Sequence, residues 1–460
     1  MCAGILAFML VSAAFFAFHA KQRIYNPEIE PLTKAEEDMA RSAYFTSLSA
    51  NTDAPDLFPF SWPDASIALT RPKNEIEQAL GARSAILLDA STGEVLLEKN
   101  ADEQIPPASM TKLVAMYTAF KAVAAGEITF DDVVALPPES WAVNIPAGSS
   151  LMFLGAGQHV TVRELLLGMA IASGNDAAIA LAIHVSGSVP SFVERMNEEM
   201  TRLGLVHTHF VEPSGLSELN MTTAREFADF ARIYVEEFPE ALKAFHSQTK
   251  LEYPMSWNLP EGSRDSPVVQ YATNKLLAQL EGCDGLKTGY IRESGYNLSL
   301  TAERNGTRFI SVTMGGPGSS TNTGSMIRNR DGSSLVEWAF GNFATVKPEA
   351  IEPMAIPVWE GLQRGIKAIP AQSPSYTAPR QVSDEKDEIS MKTPVVVIPK
   401  SLEAPIEAGD VIGRVEYRLN GIVVHTVPLI ADRSVLKTDA FSATLDRVTR
   451  GFALLLHIID

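Results

Sequence analysis

The sequence predicts an α/β chain: a three-layer sandwich with a helical subdomain, followed by a small all-β domain. Three observations carry this. A strand pair opens the fold near residue 85, helix-period segments fill the middle, and strands return after residue 286. After about Thr345 the composition shifts to Pro, Val and Ile in short runs.

The elements follow in order. Ala85–Asp89 and Glu94–Lys99 read as a hairpin turning at Ser91-Thr92-Gly93. Met110–Ala125 carries a long helical pattern closed by Gly126. Further helices are expected at Val162–Ala172, Asp176–Val185, Val189–Leu203 and Thr223–Phe238. Strands are expected at Leu286–Tyr290, Tyr296–Glu303 and Arg308–Met314, with a closing helix at Ser334–Phe340. In the last part, Pro394–Ile398, Val411–Leu419 and Ile422–Ile430 read as strands. Asn420-Gly421 is the strong hairpin dipeptide between the last two. The expected domains are a catalytic domain over 74–345 and a β-rich domain over 346–437.

Three short strings then supply chemistry: Ser109-Met110-Thr111-Lys112, Ser173-Gly174-Asn175 and Lys287-Thr288-Gly289. Each alone is weak. Ser-x-x-Lys recurs at Ser247–Lys250 and Ser434–Lys437, and Ser-x-Asn at Ser49, Ser256 and Ser320. Context selects the first set. Ser109 follows Pro106-Pro107-Ala108 and opens a helix, so Lys112, three residues on, projects over the same face. Ser247 instead precedes Leu251-Glu252-Tyr253-Pro254, where proline argues against a helix.

These residue types suit acyl transfer. A serine hydroxyl is a poor nucleophile until a base takes its proton. There is no Gly-x-Ser-x-Gly elbow and no histidine close in sequence to Ser109, so Lys112 is the expected base. It must be neutral to act, and burial beside the second cation Lys287 favours that. Ser173 is expected to relay the proton to the leaving amine, and Asn175 to orient substrate amides. Lys287-Thr288-Gly289 reads as a strand on which an extended peptide lies, with Gly289 permitting close backbone approach. The backbone N–H groups of Ser109 and Tyr290 are the expected oxyanion donors.

The three strings resemble the set used by penicillin-binding proteins and serine β-lactamases. From about Ala85 to Gly316 the chain resembles the D-alanyl-D-alanine carboxypeptidases of low molecular mass. The matching segments include Pro107–Leu113, Ser149–Leu154, Ser173–Ala177, Thr223–Glu226, Asp284–Tyr290, Ser294–Leu298 and Arg308–Val312. The resemblance implies a β-lactamase/transpeptidase-like fold, a C-terminal β domain, no cofactor and no metal. It implies peptidoglycan pentapeptide stems as substrate and β-lactam antibiotics as acylating inhibitors. It also implies that Arg308 holds the substrate's terminal carboxylate, with Arg225 assisting or bracing the site. Lys287, Thr288, Gly289 and Tyr290 complete the implied substrate-binding set.

Two positions depart from the family pattern. Ile291 stands where a threonine is usual, and Glu212 replaces a commonly uncharged polar residue. A glutamate after the Ser-x-Asn motif activates water in class A β-lactamases. The Glu-x-x-Leu-Asn pattern is absent here, because Leu216 precedes Leu219-Asn220, so Glu212 is expected in a solvated loop. β-Lactamase, D,D-endopeptidase and a penicillin-binding sensor without turnover are the rival readings.

Formal net charge is −17, which argues against nucleic-acid binding through a basic surface. Cys2 and Cys283 are the two cysteines, and with Cys2 in the leader no internal disulfide is expected. Residues 1–20 carry no charged side chain and read as a signal peptide or an uncleaved anchor. Residues 21–73 read as a tether with one helical candidate, Thr33–Ser42. Over 438–460, Phe441, Leu445, Val448, Phe452, Leu455 and Ile459 make one apolar stripe of an amphipathic helix expected to lie on the membrane surface. Arg447 and Arg450 are expected to meet lipid headgroups. The expected location is extracytoplasmic (periplasmic), attached to the cytoplasmic membrane. His207-Thr208-His209 lacks a third metal ligand, and Gly315–Ser320 lacks the lysine of a phosphate loop.

Overall fold

A computed structural model describes residues 14–15, 17–18, 29, 33–50, 71–263, 265–379, 393–419 and 422–455. The expected leader at 1–20 lies almost wholly outside these residues. So do the tether at 51–70 and the Asn420-Gly421 turn. The chain divides into two compact units. One comprises residues 68–345 and 377–380, the other residues 1–67, 346–376 and 381–460.

Helix α1 spans Lys34–Ala50, and α2 spans Lys73–Ala79. The first unit is then built on a five-stranded antiparallel sheet. Its strands are β1 (Ser84–Asp89), β2 (Val95–Lys99), β3 (Cys283–Ile291), β4 (Gly295–Arg304) and β5 (Thr307–Gly316), in the order β2-β1-β5-β4-β3. β3 is an edge strand, and the register sets Lys287 opposite Ser299 and Gly289 opposite Asn297. Most residues of β1, β4 and β5 are buried on both faces, as a sheet covered by helices on each side requires.

Between β2 and β3 runs the helical part: α3 (Thr111–Ala124), α4 (Val162–Leu167), α5 (Asn175–Ser186), α6 (Val189–Arg202) and α7 (Ala224–Glu237). α7 packs on β1 and β5. On the other side, α8 (Thr321–Asn342) packs on β4 and β5. α3 is buried along nearly its whole length, Thr111 through Phe120, so it is the core of the helical part and not an amphipathic surface helix.

α8 begins at Thr321, well before the Ser334 expected from the pattern. Its first turns are polar and small, Thr-Asn-Thr-Gly-Ser, and give no apolar stripe to read. Ser320 caps it by accepting from the Thr323 amide at 3.3 Å. Gly324 is required because the Tyr296 ring lies where a Cβ would stand.

The second unit holds a six-stranded sheet. Its strands are β6 (Met354–Trp359), β7 (Gly365–Pro370), β8 (Val395–Val397), β9 (Leu402–Glu403), β10 (Val411–Leu419) and β11 (Ile422–Ala431), in the order β8-β10-β11-β7-β6-β9. α9 (Ala440–Leu455) follows.

Two expectations change here. Residues 34–50 are helix and pack on β11, so that part of the expected tether belongs to the β unit. Arg447 and Arg450 do not point free for headgroups: Arg447 grips Glu360 at 2.6 and 2.8 Å, and Arg450 binds Glu403 at 2.7 Å. Of the apolar stripe, the described side chains Phe441, Leu445 and Val448 are exposed, Phe441 at 80 %. Among the described residues, no single helix is long and apolar enough to cross a membrane.

Candidate active site

The first unit carries an open cavity of about 950 Å³, lined by Ser109, Ser173, Asn175, Thr288, Gly289 and Tyr290 together with Arg328. Each motif enters from a different element. Ser109 sits in a short 3-10 turn, Ala108–Met110, that leads into α3, so Lys112 lies one turn deeper on the same face. The Lys112 ammonium donates to Ser109 Oγ at 3.1 Å, to Asn175 Oδ1 at 2.7 Å and to the Ser214 carbonyl at 2.5 Å. Lys112 is completely buried. Burial pushes its pKa down to about 7, against the opposing pull of the Glu212 and Asp176 carboxylates.

Ser173 sits at φ +60, between a π-turn over Gly168–Ala172 and the start of α5. Left-handed backbone at a non-glycine residue is held only by its surroundings, and such positions gather at functional sites. The geometry aims the hydroxyl at Lys287, whose Nζ donates to Ser173 Oγ at 2.9 Å. Lys287 is buried too, and burial, then the nearby cations Lys112 and Arg328, hold its pKa well below the usual lysine range. Thr288 Oγ1 donates to Thr273 Oγ1 at 2.8 Å, which fixes its rotamer beside the cavity.

Asp176 explains why the Ser149–Leu154 segment accompanies the second motif. Its buried carboxylate accepts the backbone N–H groups of Met152, Phe153 and Leu154, while the Asn175 amide donates to the Ser150 carbonyl. The loop carrying Ser149 and Ser150 to the cavity rim is therefore stitched to the head of α5.

Gly289 serves a close approach of a different kind from the one expected. A Cβ there would lie 2.5 Å from the Pro107 carbonyl, so glycine lets β3 run against the turn bearing Ser109. Tyr290 is 52 % exposed at the cavity mouth and stacks on Tyr296 with ring centroids 4.4 Å apart.

Two expected substrate arginines are not at the cavity. Arg308 pairs in register with Glu303, four residues along β4 from the Ser299 that faces Lys287, or about 13 Å of strand. Both arms of its guanidinium are taken: Asp284 accepts from the two at 2.7 and 2.8 Å, Thr301 at 2.9 Å and Glu303 at 2.7 Å. Arg225 binds Asp102 at 2.7 Å and Glu98 at 2.8 Å, bracing α7 to β2. Arg308 as carboxylate holder is therefore corrected: a fork already filled by a carboxylate has no place for a second.

Arg328, unlike Arg308, does reach the cavity. It projects from the early turns of α8, lines the cavity and is only 7 % exposed. Its Nε makes no hydrogen bond among the described residues, and burial lowers its pKa to about 10. A buried guanidinium with open donors is a receptor for an anion. The signal missed in the sequence was the start of α8.

Glu212 is half-buried rather than solvated. Its carboxylate accepts from the amides of Ser214 and Gly215 at 2.7 and 2.6 Å, from the Ser214 hydroxyl at 2.6 Å and from Asn220 Nδ2 at 2.9 Å. It thereby shapes the turn whose Ser214 carbonyl receives Lys112. His207 is held by Glu226, ring Nδ1 at 2.8 Å, as part of a local network at the head of α7.

The family profile for D-alanyl-D-alanine carboxypeptidase matches residues 71–318, and that for the C-terminal domain of penicillin-binding protein 5 matches residues 346–437. D-alanyl-D-alanine carboxypeptidase DacC of Escherichia coli is 34 % identical over 81 % of this chain and 89 % of its own length. DacA of Haemophilus influenzae is 32 % identical over 90 % and 97 %. Penicillin-binding protein 5 from Haemophilus influenzae superposes with a TM-score of 0.65 at 31 % identity, covering 78 % of this chain and 98 % of that one. Residues 1–70 precede both profile matches. With its serine, two lysines and second hydroxyl set around one cavity, the chain belongs to the D-alanyl-D-alanine carboxypeptidase family, peptidase S11.

Proposed function

We propose that this family member removes the terminal D-alanine from peptidoglycan pentapeptide stems through an acyl-enzyme on Ser109. The carrying observation is the buried Lys112 within 3.1 Å of Ser109 Oγ, with a pKa lowered to about 7. Neutral Lys112 accepts the Ser109 proton as Oγ bonds to the peptide carbonyl carbon. The C–N bond to D-alanine then breaks, and the amine takes a proton delivered through Ser173, which Lys287 orients. Water opens the resulting ester and regenerates Ser109.

The substrate strand lies along the free edge of β3 at Lys287–Tyr290, and Arg328 takes its terminal carboxylate. β-Lactams, whose strained amide and carboxylate imitate the terminal dipeptide, acylate the same serine. Asn175 spends its amide oxygen on Lys112, so its amide nitrogen is what it offers a ligand. The backbone N–H groups of Ser109 and Tyr290 serve as the oxyanion donors.

The deciding experiment is D-alanine release from a diacyl-L-Lys-D-Ala-D-Ala peptide by protein lacking residues 1–20, beside Ser109→Ala. Release by the unsubstituted protein alone supports the reading. Release by neither redirects it to cross-link cutting or to a sensor, and equal release by both names the wrong serine.

The same reading places the protein outside the cytoplasm, held at the membrane by α9. Its support is the exposed row Phe441, Leu445 and Val448. In protein already lacking 1–20, removal of 438–460 abolishes vesicle binding on this reading, and retained binding refutes it.

A further inference from the structure

We propose that helix α1 is a clip that fastens the N-terminal end of the chain onto the β unit, making the catalytic domain an insertion between two parts of that unit. Ala40 and Tyr44 on α1 are buried, at 0 % and 1 % exposure, in one cluster with Ile369, Ala371 and Ile430. Burial of a whole tyrosine ring is the mark of an intramolecular seat, since an exposed tether helix has nothing to cover it. Arg41 Nε donates to the Pro370 carbonyl at 3.2 Å, tying the helix to the end of β7.

The receiving surface is shaped for this helix. Gly409 has φ +90, and a Cβ there would stand 2.7 Å from the Tyr44 amide nitrogen and 2.8 Å from the Ala40 carbonyl. The helix backbone and the strand connection therefore approach as closely as only glycine permits. The occupant of this face is thus a stated segment, residues 34–44, and not an outside protein.

One consequence concerns attachment, and it rests on reading residues 1–20 as membrane-embedded. Residues 21–33 reach at most about 45 Å when fully extended. The clip would then deliver that anchor to the β unit, which also bears α9, and not to the catalytic domain. The unit would meet the membrane at both chain ends.

The test uses the full chain in detergent with an affinity tag at the N-terminus and a protease site placed within 51–66. After cleavage, the downstream fragment is expected to stay on the tag resin through α1. Tyr44→Asp places a charge in the apolar seat and is expected to lower retention about tenfold or more. Gly409→Val attacks the same contact from the other side and is expected to do the same. D-alanine release by each variant reports that the catalytic domain is folded. Loss of the fragment from the unsubstituted protein overturns the proposal. Equal retention in all three proteins also overturns it, because a shared micelle and not the clip would then hold the pieces.

Discussion

Lys287 holds its ammonium nitrogen 2.9 Å from the hydroxyl of Ser173 across 114 residues of sequence. The contact joins the edge of the sheet to the strained turn before α5. Each partner is thus the other's positioning device: the lysine orients the hydroxyl, and the hydroxyl satisfies a buried cation. Ser173→Ala leaves the buried Lys287 one acceptor short. We expect acylation by a fluorescent penicillin to slow by about 10²–10⁴-fold, the usual contribution of positioned proton transfer. Stopped-flow acylation, with circular dichroism to check folding, measures it.

Acylation should also report the protonation of Lys112. Its pKa is lowered to about 7, so the neutral, proton-accepting form grows as pH rises through that value. The acylation rate should climb between pH 6 and 8 and then level. Glu212 opposes the lowering, since its negative charge favours the lysine cation. Glu212→Gln is therefore expected to move the climbing limb to lower pH. It should also weaken the Ser214 turn, seen as a lower unfolding temperature. A limb that stays in place would detach Glu212 from the electrostatics of Lys112.

Arg328 and Arg308 separate binding from stability. Arg328→Gln removes the buried guanidinium facing the cavity. KM for peptides with a free terminal carboxylate should rise by about 10–100-fold, the scale of one charge-assisted hydrogen-bond pair. A substrate amidated at that carboxylate should feel the change far less. Arg308→Gln leaves Asp284 without its two-armed partner and should lower stability while KM stays near its starting value. Peptide kinetics on both variants distinguish the roles.

Glu94 gives a stability prediction with a definite sign. Burial first, then the neighbouring Asp89 carboxylate, raise its pKa from 4.5 to about 7. The folded chain keeps this proton between pH 4.5 and 7 while the unfolded chain has lost it. The stabilising contribution is thus complete below 4.5 and gone above about 7. The unfolding temperature of the unsubstituted protein should fall relative to Glu94→Gln across that window, followed by calorimetry at fixed ionic strength.

How much of this could be read in advance depended on how local each feature was. Ser109 and Lys112 share one turn of helix, and the Pro-Pro-Ala before them and the helical pattern after them singled this pair out from the other two Ser-x-x-Lys strings. Strands β1, β4 and β5 carry apolar or alternating runs, and their positions could be read within a few residues, whereas β3 was legible mainly through its Lys-Thr-Gly string and begins at Cys283, before the Leu286 expected. Arg328 was hidden because the first turns of α8 carry Thr, Asn, Gly and Ser, with no periodic apolar signal. The family resemblance put that role on Arg308, whose partners Asp284 and Glu303 lie on other parts of the sheet and become neighbours only after pairing. Glu212 looked like loop decoration, since the amides it binds are set by the turn and not by side-chain type. α1 gave a helical pattern, but its seat is formed by residues from the far end of the chain.

That seat sets an order on biosynthesis. α1 is made before the catalytic domain, yet Ile369, Gly409 and Ile430 are made after it. Ala40 and Tyr44 therefore wait without their apolar cover while the intervening catalytic domain is synthesised. On this reading the seat closes only after Ile430 has been made, however early α1 itself is ready.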